Sequence, residues 1–155
     1  MPTHRSLSEE EEQDLDRYLV MGLELVPLPE GVDEIDQRDG SLLVLGIGAL
    51  VEALRTGAPP PDGLDGSELA TCLGVLLGEE LCRVAGWSWV QLSFEDGFEG
   101  LAAVDSNHGL AMLPIHYVYG LLGDPELDNS IGVLFQMICR KETPDVSPGD
   151  WRILG

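Results

Sequence analysis

The sequence predicts an α+β fold: several helices packed on a three-stranded antiparallel β-meander, with a closing C-terminal helix. Three observations predict it. Apolar residues recur at helical spacing after Glu9, from Ser41 to Leu54 and from Ser67 to about Ala85. The period then shortens to alternation from Trp87 to Val104, and helical spacing returns after Pro114. A length of 155 residues fits one domain over 1–155 with a single core, leaving 1–7 and 143–155 as peripheral or flexible ends.

The first helix starts at Ser8, whose oxygen can cap free amides, and Glu9 to Glu12 set carboxylates at the positive end of the helix dipole. Leu15, Tyr18, Leu19 and Gly22 supply its apolar stripe, and Pro27 and Pro29 stop it. Residues 30–40 read as an acidic loop or short turn holding Asp33, Glu34, Asp36 and Asp39. Ser41 to Leu54 carries no charge until Glu52 and should be buried; Gly46 and Gly48 leave a strand over Leu42 to Ile47 open, but the length favours a helix. Pro59, Pro60 and Pro61 then force a surface connection. Ser67 is expected to cap the next helix and Gly86 to end it in the left-handed conformation. Along it Ala70, Gly74 and Gly78 clear a track where another element can approach closely.

Trp87 to Phe94 and Phe98 to Val104 form a hairpin around Glu95, Asp96 and Gly97. Ser88, Val90, Leu92 and Phe94 share an apolar face, while Trp87, Trp89, Gln91 and Ser93 share a mixed one. Leu110 to Leu113 is the third strand, ended by Pro114. Helices follow over Ile115 to Leu122 and from about Asp128 to Arg140, the last turning Ile131, Leu134, Phe135 and Ile138 inward. Trp151 is placed to dock the tail on the body.

Charge narrows the partners. The chain holds 28 acidic and 8 basic side chains, a net charge of −20, with 44% hydrophobic residues and a mean hydropathy of +0.06. Such a chain is too apolar for a disordered acidic tail, and its few cations form no stripe against a phosphate backbone. Nucleic acid and anionic membranes are therefore disfavoured, and cationic proteins, polyamines or metal ions favoured, with charge alone not choosing among them. No stretch reaches the length of a membrane span, and the acidic start differs from a signal peptide, so a cytoplasmic protein is expected.

Chemistry-bearing motifs are absent from the sequence. Cys72, Cys82 and Cys139 have neither disulfide nor zinc spacing and read as small core residues. His108 lies in an Asn-His-Gly turn and His116 at a helix start, and neither belongs to a nucleophile motif. No phosphate-binding loop, nucleophile elbow or dinucleotide fingerprint occurs, and the spacing of Asp33, Asp36 and Asp39 does not match a calcium loop. No catalytic residue, metal site or cofactor is expected.

The stretch from Cys72 to Val90, containing LGVLLGEELCRVAGWSWV, followed by a strand pair and by Leu113-Pro114-Ile115, resembles a family of small bacterial domains of unknown function. That likeness implies a fold and brings no catalytic residues with it. In size and acidity the chain also resembles bacterial toxin-immunity proteins. The resulting expectation is a non-enzymatic immunity protein that blocks a basic toxin through Glu95, Asp96, Glu99 and Trp89 at the hairpin and Asp33, Glu34 and Asp36 in the front loop. The alternative is an accessory subunit that dimerises or docks through an apolar patch.

Overall fold

The computed structural model describes residues 2–26 and 41–155. The expected binding residues Asp33, Glu34 and Asp36 lie outside the described residues. Helix α1 (Glu9–Leu25) begins where Ser8 Oγ accepts from the Glu11 amide at 3.2 Å and Glu11 Oε1 accepts from the Ser8 amide at 2.9 Å. This reciprocal pair satisfies two amides that a helix start leaves open. Helix α2 (Ser41–Arg55) is followed by a single 3-10 turn (Pro61–Gly63) and by α3 (Gly66–Ala85).

Helix α3 organises the molecule, since eleven of its twenty residues are buried. Leu73, Leu76, Leu77 and Leu81 are fully enclosed, each contributing about 1.5–3 kcal/mol by leaving water. Its cap is Asp65, two residues earlier than the expected Ser67: the Asp65 carboxylate accepts from the Glu68 amide at 2.8 Å. Asp, Gly and Ser follow one another here, and the residue whose oxygen reaches the third amide sets the start. Gly86 ends α3 with φ +75°, as its lack of a Cβ allows. The small-residue track is used for close packing. A Cβ on Gly74 would lie 2.6 Å from Ile115 Cα, and one on Gly78 would lie 2.1 Å from the tip of the Trp89 ring.

The sheet corrects the expected three-stranded meander. Among the described residues five strands run in sequence order: β1 (Thr3–Arg5), β2 (Ser88–Ser93), β3 (Glu99–Val104), β4 (Leu110–Met112) and β5 (Arg152–Leu154). The first three pairings are antiparallel, whereas β5 runs parallel to β4, with Leu110 opposite Arg152 and Met112 opposite Leu154. The sheet is therefore mixed, and the two ends of the chain supply its edges. Three-residue segments such as Thr-His-Arg are too short to show a period, and they form strands only because a distant edge offers free backbone groups.

The mixed face, with Trp89 and Ala103, meets the helices. On the opposite face Val90, Leu92, Ala102, Val104 and Ala111 form a second small core closed by Trp151. The Trp151 backbone takes φ +33°, and its indole meets His4 and His108 with ring centroids 5.6 and 6.1 Å away.

Helices α4 (Pro114–Gly123) and α5 (Ile131–Cys139) complete the helical layer, and the last element is β5, not a helix. The start of α5 comes three residues after the expected Asp128. Asn129 donates its side-chain amide to the Gly48 carbonyl at 2.9 Å, which holds that residue in a loop against α2. Arg55, whose side chain is only 4% exposed, donates to the carbonyls of Pro125 and Leu127 and fixes the same loop. No helix among the described residues is long and apolar enough to cross a membrane.

Candidate functional site

The hairpin residues expected to bind a partner are engaged within the protein. Trp89 slides its ring over Gly78 and donates its indole N–H to Glu79 at 3.0 Å, so it is no exposed anchor. Asp96 accepts from the Phe98 amide at 2.9 Å and shapes the turn. Glu99 accepts from Arg5 at 2.9 Å. Arg5 also reaches Glu11 at 2.7 Å, and Gln91 donates to the same carboxylate at 2.6 Å. Glu11 thereby ties β1, β2 and α1 together. The Arg5 guanidinium, and next the Ser8 amide, pull its carboxyl down to about 2. Glu95 is exposed at the hairpin tip.

The histidines meet aromatic neighbours. His108, expected to be solvated, is half-buried at φ +54°, its ring centroid 4.7 Å from that of His4. His116 is exposed and sits 4.8 Å from the Phe98 ring. Among the described residues none of the His, Cys, Asp and Glu side chains gather in threes to hold a metal ion. Burial, followed by the charge of Glu79, pushes the Cys82 thiol up to about 12, so it stays protonated and weakly nucleophilic.

A site of different chemistry lies across α2, α4 and α5. A groove of about 590 Å³ runs between α4 and α5, floored by Tyr117, Leu121 and Leu134 and bordered by Leu127, Val133 and Met137. A second groove of about 320 Å³ lies between α5 and α2, lined by Leu45, Gly48, Ala49, Gly132 and again Val133. The shared valine makes the two grooves one surface. Val133 is 64% exposed, Leu45 54% and Leu127 47%. Single exposed apolar residues need no explanation, but a contiguous set marks an interaction surface.

This surface was missed because Ile131, Leu134, Phe135 and Ile138 already account for one inward face of α5. The available signal was the remainder: Val133 and Met137, four residues apart, make the helix apolar on its outer side too. No family model, no curated protein and no solved structure matches this chain.

Proposed function

We propose that this chain is a non-enzymatic interaction module that docks onto another folded protein surface through the apolar grooves of α2, α4 and α5. One observation carries the reading. In a chain of net charge −20, residues 41–51 and 129–139 contain no charged side chain, yet Leu45 and Val133 stand more than half exposed there. Exposed aliphatic side chains in an uncharged zone gain free energy only when another surface excludes water from them. The hairpin supports this choice indirectly, because Trp89, Asp96 and Glu99 already have internal partners.

The test is affinity capture from the source cells with three proteins: wild type, Val133→Asp and Asp96→Lys. A charge at Val133 should abolish recovery of the bound protein, while Asp96→Lys should leave it within about twofold. Loss with Asp96→Lys and retention with Val133→Asp would reverse the reading.

A second reading rests on the 28 acidic residues: an immunity protein that covers the substrate site of a cationic toxin. Salt separates the two. Binding steered by charge weakens steeply as ionic strength rises, and docking through aliphatic side chains does not.

A further inference from the structure

We propose that the occupant of this surface is a second copy of the chain, packed about a two-fold axis with the two α5 helices antiparallel. The inference rests on the docking reading and names its partner. A two-fold contact requires a surface complementary to itself, carrying both the ridge and the groove and both signs of charge. This face carries all four.

The ridge is Val133 and Met137, which project one helical turn apart from α5. The groove beside it is lined by the small residues Gly48, Ala49 and Gly132 together with Leu45. Small residues there let another helix come near the interaxial distance of about 8–10 Å that close packing needs. Antiparallel copies seat Val133 of one chain against Met137 of the other.

Charge supplies the direction. Immediately before α5 the exposed residues Asp124, Glu126 and Asp128 put three carboxylates within five positions, with no cation among them. Immediately after it come Arg140 and Lys141, both exposed and the only adjacent cations in the sequence, followed by one acid, Glu142. The helix between them has nine residues, about 13 Å in length. A parallel arrangement would set the carboxylates of one copy against those of the other, whereas an antiparallel one sets them against Arg140 and Lys141 twice over. The uncharged centre keeps the two strongly anionic bodies from meeting charge to charge along the seam.

Sedimentation equilibrium of the full chain, from about 1 μM to about 1 mM, tests this. The expected result is a reversible monomer–dimer equilibrium. Val133→Asp should weaken it more than about tenfold, with an unchanged Tm at dilutions where both proteins are monomeric, since Val133 is a surface residue. Arg140→Glu with Lys141→Glu should weaken it about tenfold, and adding Asp124→Lys, Glu126→Lys and Asp128→Lys to the same chain should restore it to within about threefold. A monomer throughout the range, a dimer indifferent to Val133→Asp, or a reversed-charge chain that fails to recover would each overturn the antiparallel dimer. If the chain is monomeric while Val133→Asp still abolishes capture of another protein, the second copy is wrong and the docking reading stands. If Val133→Asp alters neither, both fall.

Discussion

Glu11 joins three separate stretches of chain: it closes the cap of α1, holds Arg5 of β1 and receives the amide of Gln91 on β2. Folding lowers its carboxyl from an ordinary 4.5 to about 2, with Arg5 as the largest cause. A group whose folded value is depressed contributes stability that is complete above its unfolded value and is lost as pH falls toward the folded one. Glu11→Gln should therefore be less stable than wild type near neutrality, with the gap closing between pH about 4.5 and about 2. Urea unfolding of both proteins at several pH values measures it, and a gap that stays constant through that window would contradict the role given to Glu11. The capping part of this network was legible in the sequence, since Ser8 and Glu11 have the spacing of a capping box. Its link to Arg5 and Gln91 was not, because an ion pair between a three-residue strand and a helix start depends on a register that only the assembled sheet defines.

Among the elements, β5 depends most on a single side chain. It is three residues long at the sheet edge, and Trp151 just before it closes the core formed by Leu92, Val104 and Ala111. Trp151→Ala should destabilise the protein by about 3–5 kcal/mol, as large aromatic truncations do. Thermal unfolding measures the loss, and a change below about 1 kcal/mol would show that the tail contributes little. Trp151 was visible in the sequence as a docking residue, but the strand it introduces was not. The four longer helices and the β2–β3 hairpin were legible because each carries its own period and stop signals, Pro27, Pro59 and Gly86 among them. The faces of the hairpin separated correctly by alternation, yet alternation does not say which face meets the helices. Gly78 decided that, by leaving room for Trp89 beneath α3.

At the scale of the whole molecule, charge and apolar surface are divided. Acidic residues are densest in the first 40 positions, which hold twelve of the 28, while the exposed aliphatic side chains of α2 and α5 share a zone without charge. Acidity was the most conspicuous property of the sequence and pointed to the hairpin as the place of recognition. Within the protein the hairpin acids Asp96 and Glu99 hold the turn and the N-terminal strand. The exposed apolar surface proposed for docking was harder to read because it forms where α2, α4 and α5 meet, and the exposure of Leu45 and Val133 is a property of that meeting, not of either helix alone. Backbone hydrogen exchange of the full chain, compared between dilute and concentrated protein, tests the role of this surface most directly. The account expects slower exchange at high concentration in 42–49 and 131–141, with 93–99 unchanged. Protection confined to the 93–99 hairpin would contradict the docking reading, and no concentration dependence in either helix would contradict a second copy as its occupant.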